Sequence, residues 1–356
     1  MSNTEDILTS AINRQRITDE DALRLFEEAD LLSLGQCAQQ CAAFFHPDPL
    51  VTFIIDRNIN YTNVCTSRCR FCAFYRDESS PEAYLLSHEE IIAKAAEAVS
   101  RGATQIMLQG GLHPALSLDY IVGLVRKIKE RFSVAIHSFS PPEIMHFAQR
   151  SGLDVEAVLT CLRAAGLDSL PGGGAEILSD RVRSMVSPCK IKSAEWLGVM
   201  ETAHAMGMKT TATMMIGSVE TKEERIEHLR RIRDLQDKTG GFRAFIPWSF
   251  KTAHTELGGG EISALDYLRT LAISRIYLDT IEHIQGSWVT QGPDIGQITL
   301  FFGANDLGSI MLEENVVRAA GASYSLTEEE MVSLICTAGK IPAQRNTEYK
   351  IIKRYP

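Results

Sequence analysis

From residue 51 onward the chain alternates short apolar runs, bounded by Gly, Pro or Ser, with longer amphipathic segments, and this alternation narrows the possible folds more than any other feature. The runs at 51–59, 104–111, 133–139, 167–173, 209–217, 242–250, 283–288 and 298–306 read as eight strands. Segments 87–102, 118–131, 155–166, 193–207, 221–238 and 263–278 read as helices, the first of them capped at its start and ended by Gly102. Strands separated by helices pair in parallel, and eight of them favour a closed (β/α)8 barrel of TIM type, where six or fewer would suit a doubly wound sheet. The length of 356 residues accommodates one large barrel with appendages. Residues 1–47 read as an N-terminal helical extension, with a Thr-x-x-Asp cap at Thr18, residues 48–310 as the barrel core, and residues 311–356 as a helical tail packed on it.

The residues with chemical potential gather just after the expected strands, which in a barrel is the C-terminal rim where active sites lie. Cys65, Cys69 and Cys72 follow the first strand, Gly110, Gly111 and His113 the second, Ser138 the third, and the run Gly172–Glu176 the fourth. Three thiolates at Cys-x3-Cys-x2-Cys spacing can wrap one short loop round a polynuclear centre. Structural zinc wants four closed ligands, and a cluster that only carries electrons generally takes four cysteines. Three leave one metal position open for a substrate or cosubstrate. Cys37 and Cys41, four apart on a helix, read instead as buried thiols, and Arg68, Arg70 and Arg76 either offset the thiolates or are solvated.

Composition excludes some partners. Thirty-six Lys and Arg against 45 Asp and Glu give a formal charge of −9, which argues against a general nucleic-acid binder. The first residues lack the apolar core of a signal peptide, and no stretch stays apolar for the ~18 residues of a membrane span, so the expectation is a cytoplasmic protein without a membrane partner. Eight cysteines then read as thiols or ligands rather than disulfides.

"CTSRCRFC", with the aromatic Phe71 before the last cysteine and a strand before the loop, resembles the radical S-adenosylmethionine superfamily. That resemblance implies a 4Fe-4S cluster held by Cys65, Cys69 and Cys72, with S-adenosylmethionine chelating the fourth iron and cleaved by one electron from an external reductant such as flavodoxin or ferredoxin. It implies that Gly110 and Gly111 belong to the segment contacting the methionine amino group and that Glu176 contacts the ribose hydroxyls. Ser138, at the end of the third strand, and Arg183, a planar fork for a carboxylate, join Phe71 as cofactor-side candidates.

Further segments, "PGGGAEIL" (171–178), "IQGSWVTQGPDIGQ" (284–297), "FGANDLGS" (302–309), "MLEENVVRAAG" (311–321) and "IPAQRNTEY" (341–349), resemble the dehypoxanthine futalosine cyclase family of menaquinone biosynthesis. Aminofutalosine synthase and the radical components that build the deazaflavin chromophore share the cysteine loop and the Gly-Ala-Glu segment. The family implies cyclisation of dehypoxanthine futalosine: hydrogen abstraction at ribose C4′, addition to the benzoate ring, then loss of an electron and a proton. Candidate bases for that proton are His137, His113 and Asp294; Arg243 or Arg275 are candidates for the benzoate carboxylate, and Trp248 and Trp288 for walls of the aromatic pocket. An iron–sulfur electron carrier or scaffold is the non-enzyme alternative.

Overall fold

In a computed structural model, which describes residues 3–322 and 324–356, ten strands succeed one another in the order β1 (Leu50–Ile54), β2 (Asp56–Ile59), β3 (Gln105–Leu108), β4 (Ala135–Ile136), β5 (Thr210–Ile216), β6 (Phe242–Ser249), β7 (His283–Ile284), β8 (Asp306–Ser309), β9 (Ile341–Arg345) and β10 (Ile351–Arg354). They form three ladders, β10-β9-β1-β8, β2-β3-β4 and β5-β6-β7, parallel throughout except for the antiparallel pair β9-β10. Single parallel bridges, His137 to Ser169, Leu170 to Thr210 and Gln285 to Asp306, span the gaps between ladders, and only Ile55 separates β1 from β2 along the chain. The architecture is therefore of TIM type, but the continuous closed sheet expected from the sequence is broken into ladders stitched by bridges.

The six barrel helices read from the periodicity are present, and the structure adds Pro141–Ser151 and Asp180–Val186, which the sequence reading did not place. The helix His88–Ser100 begins at Ser87, whose side chain accepts from the Glu90 amide while Glu90 bonds back, and the chain leaves it at Gly102 with φ 85°. Its Ile91, Ala95 and Ala98 are fully buried against the barrel. Burial of a large aliphatic side chain such as Ile91 contributes about 1.5–3 kcal/mol, so the apolar stripe rather than helix propensity holds the element. The extension consists of helices Thr4–Ile12, Asp19–Glu28 and Leu31–Phe45. Arg16 clamps it to Asp237 and Asp279, and Arg269 donates to the carbonyls of Leu25 and Ala29. Cys37 and Cys41 are buried there, facing the carbonyls of Leu8 and Ala11.

Several expected strands differ in the structure: 133–139 is a strand only at Ala135–Ile136, and 283–288 only at His283–Ile284, with Trp288 opening a short helix. Residues 167–173 make only two bridges, because Pro171 and three successive glycines stop the ladder. Residues 293–299 are helical, with Pro293 in the first turn, so the last barrel strand begins at Asp306 rather than Ile298; a short apolar run does not distinguish helix from strand by itself. The tail carries the helix Glu328–Thr337 and then adds β9 beside β1, and β10 beyond it. Among the described residues no helix is long and apolar enough to cross a membrane.

Candidate active site

The barrel encloses a cavity of about 410 Å³ that runs from the cysteine loop at the rim to residues of the C-terminal tail at the floor. All three cysteines line it. Their loop is fixed by backbone bonds: Cys65 N donates to Arg76 O at 3.2 Å, Thr66 N to Leu112 O at 3.1 Å, Cys72 N to Cys69 O at 3.0 Å and Arg70 N to Val186 O at 2.9 Å. Burial pushes the Cys69 thiol up to about 12 and raises Cys72, while Lys190 pulls both back toward the thiolate. The flanking arginines do not supply that charge, since each meets a surface carboxylate: Arg68 with Asp77, Arg70 with Glu256, Arg76 with Glu82. The nearby cation is Lys190, which the sequence alone did not flag because it stands more than a hundred residues from the loop. A positively charged metal centre would ionise the buried thiols, and three soft donors on a wall of an enclosed cavity suit an iron–sulfur cluster.

Opposite the loop, glycines allow close approach. A Cβ on Gly111 would lie 2.2 Å from Val64 O and 2.8 Å from Cys65 Cβ, and one on Gly110 would lie 2.6 Å from the Tyr61 ring. These glycines are thus needed for the strand-end loop to pack on the cysteine loop itself. The Gly110 amide donates to Glu143 Oε1 at 3.1 Å, and Tyr61 donates to the same oxygen at 2.7 Å. Glu143 is buried, lines the cavity and is raised by burial; in the sequence it looks like an ordinary capping glutamate on the helix Pro141–Ser151. Glu176 sits at φ 42°, a left-handed conformation that costs a non-glycine residue strain, and its carboxylate takes Lys190 Nζ at 2.9 Å and Arg183 Nη1 at 3.4 Å. Lys190 also lies 5.1 Å over the Phe71 ring, linking the aromatic residue of the cysteine motif to Glu176.

At the floor, His137 Nδ1 is 2.7 Å from Ser169 Oγ, and that hydroxyl donates to Lys209 O at 2.8 Å. Because the hydroxyl proton is engaged by the carbonyl, Nδ1 carries the ring proton and Nε2 keeps its lone pair, with no partner among the described residues. Burial, with Arg243 and Arg345 nearby, lowers His137 to about 3. Arg345 makes a two-pronged pair with the fully buried Asp306, at 2.6 and 3.0 Å, and lies 3.8 Å over the Tyr349 ring. Tyr349 stacks in turn on His283 at 3.7 Å. Arg345, Thr347 and Tyr349 all line the cavity. "AQRNTEY" marked this segment without hinting that it reaches the barrel interior.

Of the residues singled out from the sequence, Cys65, Cys69, Cys72, Phe71, Gly110, Gly111, Glu176 and His137 share the cavity, as do Trp248 and Arg243. Ser138 is buried beside it, its Oγ accepting from Leu108 N at 2.8 Å. Arg183 lies behind Glu176, donating to the carbonyls of Gly174, Ala175 and Ile191 as well as to the carboxylate, so it braces the loop from outside the cavity. His113 accepts at Nδ1 from Ala115 N, and Asp294 is exposed on the helix Pro293–Thr299; neither lines the cavity. Arg275 gives its donors to Gly303 O, Ile281 O, Glu282 O and Asn305 Oδ1, and Trp288 gives Nε1 to Ser309 O, both away from the cavity.

This site and barrel define a radical S-adenosylmethionine enzyme: residues 59–232 match the Radical SAM superfamily, and the chain belongs to it. Residues 239–355 match the CofH/MqnC C-terminal region. The chain is 47% identical over 353 residues to the cyclic dehypoxanthine futalosine synthase of Halalkalibacterium halodurans, covering 99% of this chain and 95% of that one. It is 45% identical to the protein of that name from Streptomyces coelicolor, covering 98% and 89%. It is also 43% identical, over 86% of this chain and 85% of the other, to a 5-amino-6-(D-ribitylamino)uracil–L-tyrosine 4-hydroxyphenyl transferase of Methanopyrus kandleri. Methylornithine synthase shares the fold, with a TM-score of 0.75 at 20% identity over 95% of this chain and 97% of that one. Superfamily membership implies a 4Fe-4S cluster and S-adenosylmethionine.

Proposed function

We propose that this protein cyclises dehypoxanthine futalosine to cyclic dehypoxanthine futalosine in menaquinone biosynthesis. The observation that carries the reading is 47% identity along 99% of the chain to a synthase of that product, together with a cavity lined by the cysteine loop. Cys65, Cys69 and Cys72 would hold the cluster, and Gly110, Gly111, Phe71 and Glu176 would line the S-adenosylmethionine end. Bound there, the cluster and S-adenosylmethionine would supply a 5′-deoxyadenosyl radical able to take hydrogen from ribose C4′. The chain's own work is positional. The cavity walls hold the ribose against the cofactor end, since atoms that react must be near contact, and keep out water and other hydrogen donors. Glu176, held by Lys190 and Arg183, offers a fixed carboxylate to a diol.

After the carbon radical adds to the benzoate ring, the ring would become aromatic again by losing one proton and one electron, the electron returning to the cluster that was oxidised in the initiating step. His137 Nε2 is the acceptor we assign, because its lone pair is free in the cavity, whereas His113 and Asp294 stand outside it; a ring held at about 3 is a weak base, but the cyclohexadienyl cation left by electron loss is a strong enough acid to protonate it. Flavodoxin or ferredoxin would supply the initiating electron. Anaerobic incubation of reconstituted protein with dithionite, S-adenosylmethionine and dehypoxanthine futalosine tests the proposal: a cyclised product two hydrogens lighter, with free 5′-deoxyadenosine, is expected. Incorporation of the adenosyl group into product would point to aminofutalosine synthesis instead. The 43% identity to the uracil–tyrosine transferase favours one rival reading, and tyrosine with 5-amino-6-(D-ribitylamino)uracil as substrates decides it.

A further inference from the structure

Three cations line the cavity among the described residues: Lys190, Arg243 and Arg345. Two have carboxylate partners inside the protein, Lys190 with Glu176 and Arg345 with Asp306. Arg243 has none. Its Nη1 donates to Thr347 O and its Nη2 to Lys209 O at 3.1 Å, both backbone carbonyls, and its buried Nε–H has no acceptor. A buried donor left unmade is costly, and a fork tied at both outer nitrogens to neutral groups keeps its full charge for something else.

The backbone also places it deliberately. Along β5 and β6, Thr210 faces Phe242 but Thr211 faces Ala244, so Arg243 is the extra residue at an irregularity in the ladder. Such bulges re-aim a side chain and are frequent beside active sites. The tail then pins the guanidinium: Thr347 accepts through its carbonyl while its hydroxyl donates to Gln105 Oε1 at 2.8 Å. Further along β6, Ile246 and Trp248 line the same cavity, the latter about 16 Å up the strand at the usual rise per residue. That is the scale of a molecule with an aryl carboxylate at one end and a ribose at the other.

We propose that Arg243 is the carboxylate-binding residue of the substrate pocket, receiving the benzoate group at the floor so that the ribose points toward the cysteine loop. The assignment rests on the cyclase reading for the identity of the carboxylate, but not for its existence. It also explains why a barrel interior would give a strand position to an arginine with no acidic partner.

Two measurements test it. In turnover, wild-type enzyme should favour dehypoxanthine futalosine over its carboxamide analogue by about 100-fold in kcat/KM, as expected for a charge-assisted fork. Arg243→Gln should collapse that preference to within about threefold, mainly through KM for the acid, with Arg243→Lys between. If Arg243→Gln lowers both substrates equally and keeps the wild-type ratio, its role is only structural and the proposal is overturned. In binding, isothermal titration of the reconstituted full chain should detect benzoate but not benzamide, and Arg243→Gln should abolish the benzoate signal. A wild type that binds benzoate through Arg243 yet makes no cyclised product would refute the cyclase reading alone; one that cyclises with benzoate binding unaffected by the substitution would refute the Arg243 assignment alone.

Discussion

The rim and the floor of the barrel are built on opposite plans. At the rim the chemistry sits in short contiguous runs, 65–72, 109–111 and 172–176, and its outer arginines make exposed ion pairs such as Arg70–Glu256. At the floor the partners are far apart in the chain: Thr52 and Arg345 on Asp306, Thr347 on Arg243, Ser169 on His137. The ion pair there is buried, with Asp306 fully enclosed. A rim of this kind can be specified locally because the cofactor it suits brings its own reactivity; the floor must be specified globally, because discriminating one substrate requires groups from several strands and the tail at once.

This contrast can be broken by substitution. Cys69→Ala should have the largest effect, leaving no assembled cluster and no detectable 5′-deoxyadenosine, with little change in fold; iron and sulfide analysis and circular dichroism check both halves. Arg345→Met should cost stability, by about 3–5 kcal/mol in denaturant unfolding, since it leaves Asp306 buried without its partner. Arg70→Ala, at an exposed pair, should cost no more than about 1 kcal/mol. If the two losses were equal, the distinction between rim and floor would be wrong.

Glu176→Gln should raise the KM for S-adenosylmethionine by about tenfold to a hundredfold, the worth of a charged hydrogen bond, while leaving benzoate binding alone. The pH dependence of stability follows from histidines buried at several places in the barrel, of which His137 is the one on the floor of the cavity. His137 at about 3, His228 at about 3, His204 at about 4 and His283 at about 2 are all held neutral by burial, well below the ~6.5 of an exposed histidine. The unfolded chain therefore binds protons that the folded one does not, so their contribution is whole above pH ~6.5 and is lost as pH falls toward 3. Each adds a slope of about 1.4 kcal/mol per pH unit in that window, and His137→Gln should remove one such slope in urea titrations at stepped pH. The smallest effects should come from His113→Gln and Asp294→Asn, with kcat within about twofold of wild type where His137→Gln lowers it strongly.

Much of the scaffold is legible in the amino-acid sequence. Ser87 with Glu90, Thr18 with Asp21 and Gly102 mark helix ends through bonds only a few residues long, and apolar periodicity marks which face turns inward. The cysteine loop is equally plain, because three ligands to one centre must be close along the chain when a single loop carries them. Residues 298–302 mislead, since Leu300 and Phe302 are buried in a helical turn as readily as they would be in a strand. The tail's strand β9 is invisible for a related reason: it is stabilised by pairing with β1, almost three hundred residues earlier, and nothing local requires it.

The amino-acid sequence by itself determined the alternation of strands and helices, the helix ends and the three-cysteine loop, because each depends on interactions within a turn or two of chain. Only the tertiary structure decided that Lys190 rather than the flanking arginines faces the thiols, that Arg183 and Arg275 are engaged by backbone carbonyls, and that Arg243 reaches the cavity with a donor to spare. Whether a buried charge is satisfied depends on every group packed round it, and those groups are brought together only when the barrel folds.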